Sequence, residues 1–134
     1  MARGPSPAVG IELRPAHFAG RAPVDSYGDG GFRFADMSHR GSILCLPSGI
    51  YSWVVETTDD LTIANFDRIL SEEGIEILLV GTGKDLTPLS RGLRERLIKA
   101  GIRPEPMSTG AAARTFNVLL AEGRAVAAAL LAVH

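Results

Sequence analysis

Residues 78–89 read LLVGTGKDLTPL and predict a buried strand that leads through a glycine loop into a helix. The strand extends upstream to residue 75, and a short run of branched apolar residues is typical of a strand covered on both faces. Downstream, Thr87 is placed to cap the helix, and Pro88 falls in the first turn, where its missing N–H costs nothing. A strand followed at once by a helix indicates an α/β fold.

The glycine loop does not meet the requirements of either common nucleotide-binding motif. A Walker phosphate loop requires Ser or Thr after its lysine, whereas Lys84 is followed by Asp85. The dinucleotide fingerprint requires a third glycine where this chain has Leu86. Gly81 and Gly83 permit the positive φ values that a tight turn between a strand and a helix needs. This favours a simple turn, with an anion site as the open alternative.

A second strand is also followed directly by a helix, and the two strand-to-helix loops together predict a crevice. The segment 102–106 is interpreted as an edge strand, because its two prolines cannot donate hydrogen bonds to a neighbour. Strand, helix and strand joined by short loops make 75–80 and 102–106 parallel. Their carboxyl ends then share one edge of the sheet, where α/β proteins bind ligands and where helix N-termini attract anions. We therefore predict a crevice between loops 81–85 and 107–110.

The candidate ligand-binding residues are polar and glycine positions of these two loops and of the helix that follows the second. They are Gly81, Gly83, Lys84, Ser108, Thr109, Arg114 and Asn117. Simpler roles stay open: helix capping for the two hydroxyl side chains, a backbone hydrogen bond for Asn117 and a surface ion pair for Arg114. The crevice hypothesis depends on these residues converging in space. No catalytic residue, metal ligand or cofactor is predicted.

The remaining segments predict a single α/β domain, residues 25–134, behind a flexible arm, residues 1–24, that is rich in proline. Residues 27–46 alternate around Phe32 and Phe34 and then become apolar, which predicts a β-hairpin with a long loop. A further strand is predicted after Pro47. Helices are predicted over residues 59–74, 87–101 and 108–123, and a final buried strand over residues 124–133.

The overall composition is that of an ordinary globular protein, with 46% hydrophobic and 22% charged residues. The net charge of −1 gives no general attraction to nucleic acid or to an anionic membrane. No apolar run approaches the roughly 20 residues that a membrane-spanning helix needs. We therefore expect a protein without membrane insertion, located in the cytoplasm, or in mitochondria if the source is eukaryotic.

Residue types that often perform catalysis do not fall into a recognised arrangement. There is no G-x-S-x-G nucleophile motif, and Cys45 stands between two leucines, where a thiol acts as a small hydrophobe. His39 lies near three aspartates that could complete a metal site, but aspartate is also common in turns, and we favour the turn interpretation. These aspartates are Asp25, Asp29 and Asp36. An enzymatic role is therefore not favoured.

The first two predicted helices carry opposite charges. The first is acidic, and the second is basic on its outer side. A solvated surface explains both, and complementary charge can also orient a protein partner or a second copy of the chain. We expect a monomer or a weak homodimer with an unidentified protein partner.

Three stretches, taken in order, resemble a known family. They are YGDGGFRF…GSILCLPSGIYSW, LLVGTGKDLTPL and MSTGAAARTFNVLLAEGRAVAAALL, and together they cover roughly residues 25–132. The family is a small domain of unknown biochemistry from bacteria, archaea and mitochondria. It includes the third NADH:ubiquinone oxidoreductase complex assembly factor and an adipogenesis-associated protein. This chain departs from the usual pattern by having Ser108 instead of Asp and Phe116 instead of Tyr.

The resemblance implies a three-layer α/β fold with a mixed central sheet, helices packed on it and a small antiparallel extension from the N-terminal hairpin. It implies no established catalytic residue or cofactor, and one branch acts by binding assembly intermediates. The prediction is therefore a non-enzymatic protein-interaction module, an accessory or assembly factor for a membrane complex. The alternative is a small-ligand or anion-binding protein, or an enzyme, that uses the predicted crevice.

Overall fold

The structure, a computed structural model, describes residues 18–134, so most of the predicted arm lies outside the described residues. Within that range the chain forms nine strands and three α-helices. The strands are β1 Phe18–Ala19, β2 Ser26–Gly28, β3 Gly31–Phe34, β4 Met37–Arg40, β5 Ser42–Leu46, β6 Gly49–Trp53, β7 Ile77–Gly81, β8 Arg103–Met107 and β9 Val126–Leu130. The helices are α1 Asp67–Ser71, α2 Arg91–Lys99 and α3 Thr109–Ala121.

Six of the strands form a mixed central sheet in the order β1-β6-β5-β9-β7-β8. Strand β7 is parallel to both β8 and β9, whereas β5 is antiparallel to β6 and β9. The parallel pairing predicted for the two strands at the glycine loop is therefore confirmed. The final segment is also confirmed as a strand, and it lies in the middle of the sheet, where its alanines are fully buried.

The fold has three layers, and a hydrophobic core lies on each face of the central sheet. On one face of the central sheet, α1 and α2 pack against residues such as Leu78 and Val80. On the other face, α3 and the small sheet β2-β3-β4 pack against residues such as Leu79 and Ala128. Successive strand residues point to opposite faces, which is why neighbours in β7 belong to different cores. The predicted three-layer α/β fold with an antiparallel extension is thus confirmed.

The predicted hairpin over residues 27–46 is wrong in its pairing. Strand β3 pairs with β2 and β4 in the small sheet, and β5 pairs with β6 and β9 in the central sheet. The reason is a two-residue turn at Ala35 and Asp36, whose φ angles of 48° and 62° are those of a tight hairpin turn. This turn sends the chain back immediately, so Phe34 faces Met37. The strand predicted after Pro47 is confirmed as β6.

The long helix predicted over residues 59–74 is wrong in extent, because only α1 is α-helical. Two 3₁₀ turns, Thr58–Asp60 and Ile63–Phe66, precede it. The indole N–H of Trp53 donates a 2.9 Å hydrogen bond to the backbone carbonyl of Asn65. A continuous helix would use that carbonyl for its own ladder, so a contact from the sheet interrupts the helix.

Helix α2 begins later than predicted. Its N-cap is Ser90, whose hydroxyl accepts a hydrogen bond from the backbone N–H of Leu93 at 3.2 Å. The N–H of Thr87, the predicted cap, donates instead to the hydroxyl of Thr82 at 2.9 Å, which keeps residues 82–90 in a loop. Helix α3 is capped by Ser108, one of the two hydroxyl residues considered for that role. Among the described residues, no helix is long and apolar enough to cross a lipid bilayer.

The described end of the predicted arm packs on the domain. Strand β1 pairs with β6, and the side chains of Ala22 and Val24 are buried in the core beneath α3. Residues 18–24 therefore contribute to the packing of this face, and residues 1–17 lie outside the described part of the chain.

The outer edge of β8 has no hydrogen-bond donors. The N–H of Arg103 donates to the carbonyl of Glu76 at 2.9 Å, so alternate residues of β8 direct their backbone groups toward β7. The positions in between, which face outward, are Pro104 and Pro106, and neither has an N–H. This arrangement prevents another strand from pairing with the sheet at this edge.

We expect the double substitution Pro104→Val and Pro106→Val to promote self-association. Valine suits a half-buried strand and gives each outward position an N–H donor. Sedimentation velocity should show a larger self-associated fraction than in the original chain. The control is Glu105→Val, which adds an apolar residue whose N–H faces β7. Equal self-association of the control and the double variant would contradict this role of the prolines.

Candidate functional site

The two loops predicted to form a crevice meet at the same edge of the sheet, but they are hydrogen-bonded to each other. The backbone N–H of Thr109 donates to the carbonyl of Gly83 at 2.8 Å. The N–H of Gly83 in turn donates to the hydroxyl oxygen of Thr109 at 3.0 Å. The space directly between the loops is therefore occupied by the protein's own groups, and one backbone donor of α3 is already engaged.

Thr109 joins three segments at this edge. Its hydroxyl accepts from the Gly83 N–H and donates a 2.7 Å hydrogen bond to the carbonyl of Leu131, just after β9. The Thr109 side chain is fully buried. A Cβ added to Gly81 would lie only 2.9 Å from the Cα of Thr109, so a glycine is required there. Thr109 and Gly81 thus have packing roles that fix β7, α3 and the end of β9 together.

The loop over residues 82–90 is shaped by Thr82, a residue that the sequence analysis did not single out. Its hydroxyl donates to the carbonyl of Asp85 at 2.7 Å and accepts from the N–H of Thr87 at 2.9 Å. These bonds close a compact loop whose tip carries the exposed residues Lys84 and Leu86, and 57% of Leu86 is accessible to solvent. The only sequence signal for Thr82 was its position between two glycines.

Asn117 and Arg114 lie further along α3, beside the segment over residues 24–27 and not beside the glycine loop. The Asn117 side-chain amide accepts from the N–H of Val24 at 2.9 Å and donates to its carbonyl at 2.8 Å. The backbone-hydrogen-bond alternative for Asn117 is therefore confirmed. Arg114 is exposed and has no ion-pair partner within residues 18–134. The surface ion pair considered for Arg114 is thus absent from the described part of the chain.

These two residues border a cavity of about 250 Å³ that we call the Tyr27 slot. One wall is the backbone and side chains of residues 24–27, and the other is a stripe of α3. The stripe consists of Gly110, Ala113, Arg114 and Asn117. Sequence reasoning missed the slot because Tyr27 is far from α3 along the chain, and no local pattern predicts which segment crosses a helix.

A second depression, of about 400 Å³, lies on the small sheet. One row of that sheet consists of Gly28, Gly31 and Arg40, and its two glycines leave the surface hollow. Arg33 borders the same hollow, and its guanidinium donates a 2.5 Å hydrogen bond to the hydroxyl of Ser38. One of the two arginines here is therefore already engaged within the protein.

Of the residues considered for metal binding or nucleophilic chemistry, Asp29 and Asp36 lie in turns and Cys45 lies in the hydrophobic core. Asp29 and Asp36 occupy turns with φ angles of 51° and 62°, which confirms the turn interpretation for both. Within residues 18–134, no three His, Cys, Asp or Glu side chains form a group that could hold a metal ion. Burial lowers the pKa of His39, against a hydrogen bond with the Ser42 backbone that raises it. Burial raises the pKa of the Cys45 thiol to about 12, which disfavours the reactive thiolate.

Comparison with known families gives one clear match. Residues 24–131 match the model of a family described as a protein of unknown function, DUF498/DUF598. The matched range covers nearly all of the described residues. It therefore confirms the resemblance that the three quoted stretches of sequence indicated.

Curated relatives include both bacterial and animal proteins. An uncharacterized protein of Rhodobacter capsulatus is 44% identical over 118 residues, which are 88% of this chain and 90% of the relative. The mouse NADH dehydrogenase (ubiquinone) 1 alpha subcomplex assembly factor 3 is 33% identical over 122 residues, or 90% of this chain and 66% of that protein. Its human counterpart is 35% identical over 109 residues, or 81% and 59%. This chain thus spans less than two thirds of these two assembly factors.

Solved structures share the fold. A crystal structure described as an outer membrane protein from Bartonella henselae is 58% identical with a TM-score of 0.84, and the match covers 87% of this chain and 99% of that one. A solution structure of a Rhodopseudomonas palustris protein is 41% identical with a TM-score of 0.80, covering 90% of each chain. A Bordetella pertussis protein described as an Mth938-like domain is 30% identical, with a TM-score of 0.73 and 92% of each chain covered.

We expect Thr109→Val to destabilise the domain by about 2 kcal/mol, because the part-buried N–H of Gly83 and the buried carbonyl of Leu131 each lose a partner. Valine preserves the shape of threonine, so the loss reports on the hydroxyl. The measurement is urea unfolding at equilibrium. Thr115→Val on the same helix is the control, since its hydroxyl makes no hydrogen bond within residues 18–134. Equal losses for both variants would refute the role assigned to Thr109.

Proposed function

We propose, from the premise that this chain belongs to the DUF498/DUF598 family, that it is a protein-interaction module that assists the assembly of a membrane protein complex. The observation that supports this role is the extent of the sequence shared with the mouse and human assembly factors. The shared region amounts to 90% and 81% of this chain, so it includes most of the α/β domain. The proposed partner is an assembly intermediate, and the proposed place of action is the cytoplasm.

The loop over residues 82–90 has the properties of a contact surface for such a partner. It stands at the carboxyl edge of the sheet, on a rigid scaffold, which is where binding residues are commonly placed. Because the Thr82 hydroxyl fixes its shape, little conformational entropy is lost when a partner binds. Its exposed tip residue Leu86 supplies apolar area that a partner can cover.

Charges beside the apolar tip would orient the partner. Lys84 and Asp85 immediately precede Leu86, and both are exposed. Charges at the rim of an interface contribute mainly to orientation and to the rate of association, whereas a buried apolar anchor contributes more to affinity. We therefore assign the larger share of binding to Leu86. This assignment also gives Lys84 a role without requiring an anion.

The alternative function, ligand binding between loops 81–85 and 107–110, has weaker support. Gly83 and Thr109 are bonded to each other, so a ligand at that position would have to displace two protein hydrogen bonds. Ser108 is also engaged, since its hydroxyl accepts from the N–H of Ala111 at 3.3 Å. Of the residues predicted for that crevice, Lys84 and Arg114 keep charged groups without a partner in residues 18–134.

The test is affinity capture of partners from solubilised membranes of the source cells, with quantitative mass spectrometry. We expect the tagged original chain to enrich subunits of one membrane complex, and Leu86→Ser to reduce that enrichment by about tenfold or more, as for an interface anchor. The matched control is Ile98→Ser on α2, an aliphatic residue of similar exposure, 51% against 57%. Exposed substitutions of this kind change stability by only about 0.5 kcal/mol, so folding is preserved.

Two outcomes would contradict the proposal. One is that no membrane-complex subunit is enriched above the level obtained with an unrelated tagged domain. The other outcome concerns the loop alone. Equal capture by Leu86→Ser and by the original chain would show that residues 82–90 are not part of the interface.

A further inference from the structure

The Tyr27 slot is held open by attachments at both of its ends. Gly110, Ala113, Arg114 and Asn117 follow the spacing of one helix face, so they form a continuous stripe along α3. At one end of the stripe, the Asn117 amide is paired with both backbone groups of Val24. The crossing segment is thereby fixed to the helix two turns away from its N-terminus.

The other end is fixed by Tyr27. A Cβ added to Gly110 would overlap the Tyr27 hydroxyl, so the phenol lies directly on the backbone of the first turn of α3. Between the two attachments the stripe carries Arg114 at the border of the slot and the small side chain of Ala113 beneath it. The slot therefore exists because two close contacts hold the segment along the helix while Ala113 between them is too small to fill the gap.

The volume of the slot is large enough for a small molecule or for the end of a side chain. Its volume of about 250 Å³ corresponds to about eight water molecules at the volume each occupies in the liquid. That is just below the range of roughly 300–1,000 Å³ typical of pockets for drug-sized ligands. A carboxylate with a short aliphatic stem fits such a volume.

The polar groups of the slot are mostly donors without partners. Within residues 18–134, the Arg114 guanidinium and the hydroxyls of Ser26 and Tyr27 make no hydrogen bond or ion pair. Asn117, in contrast, is engaged through both atoms of its amide. The slot thus presents the positive charge of Arg114, two hydroxyl donors and, at its border, the negative charge of Asp25.

We propose that the Tyr27 slot binds a carboxylate group. The planar guanidinium of Arg114 matches a carboxylate through two parallel hydrogen bonds, and the hydroxyls of Ser26 and Tyr27 supply further donors. Val24 and Ala113 provide apolar contact for the stem that carries the carboxylate. Asp25 also borders the slot, and its charge disfavours a dianion such as phosphate more than a monovalent carboxylate.

A carboxylate can come from a free small acid or from an acidic side chain of a protein. The slot lies beside α3, whereas the contact surface proposed for the protein partner is the loop over residues 82–90. Carboxylate binding therefore goes beyond the proposed function, and the two can fail separately. A chain that captures a membrane complex through Leu86 can lack carboxylate binding, and the reverse also holds.

The experiment is a titration of the ¹⁵N-labelled full chain at constant ionic strength, followed by amide chemical shifts. One arm uses butyrate, a monovalent carboxylate, as the free acid, and a second uses N-acetyl-glutamate N-methylamide as the acidic side chain. The reference compound is N-acetyl-glutamine N-methylamide, which has the same shape without the charge. We expect saturable shifts of the amides of Gly110, Ala113 and Arg114 with a carboxylate and none with the reference. The carboxylate that binds more tightly identifies the source.

Variants separate the slot from general charge effects. We expect Arg114→Gln to weaken binding by about tenfold or more, since hydrogen bonds to charged groups are the stronger ones. Tyr27→Phe keeps the ring against Gly110 and removes the hydroxyl, so it should weaken binding less. The control is Arg94→Gln, an exposed arginine on α2 at the opposite face of the central sheet.

The same spectra show whether each variant is folded. Unchanged affinity in Arg94→Gln together with the loss in Arg114→Gln supports the proposal. It is overturned by equal shifts with the uncharged reference, by shifts that do not saturate, or by equal losses in the two arginine variants.

Discussion

The buried hydroxyl of Thr109 is the interaction on which the arrangement of the sheet edge depends. It accepts from the loop after β7 and donates to the segment after β9, while its own backbone begins α3. A threonine can do this because a hydroxyl is both a donor and an acceptor. A valine of the same shape would leave the buried carbonyl of Leu131 and the part-buried N–H of Gly83 without their partner, which is costly where the local dielectric is low.

Helix α3 therefore holds two other parts of the chain, the glycine loop and the segment over residues 24–27. Thr109 fixes the glycine loop, Gly110 allows Tyr27 to approach the helix backbone, and Asn117 is paired with Val24. The consequence for function is a division of surfaces. We propose that the loop over residues 82–90 offers a rigid apolar tip to a protein partner and that the Tyr27 slot offers an unpaired cation to a carboxylate. Both surfaces are by-products of the packing that stabilises the fold.

The sequence pattern predicted the parts of the fold that depend on residues close together along the chain. The spacing of strand, helix and strand gave the parallel pairing of β7 with β8 and brought the two glycine loops to one edge. The same spacing could not show that these loops are hydrogen-bonded to each other, because the bond between Gly83 and Thr109 does not affect the hydrophobic periodicity of the sequence. The prediction of a long helix was wrong for a similar reason, because the carbonyl of Asn65 accepts a hydrogen bond from the indole of Trp53 on a neighbouring strand. Tyr27 was missed because its partner Gly110 is distant in sequence.

Hydrogen exchange of the Gly83 amide tests most directly whether the two loops are closed on each other. In the native chain this N–H donates to Thr109, whereas the amide of Leu86 makes no hydrogen bond within residues 18–134. Closed loops predict that Gly83 and Thr109 exchange as slowly as the amides of β7, and far more slowly than Leu86. Exchange of Gly83 and Thr109 at the rate of Leu86 would contradict the account, because it would mean that the edge is open.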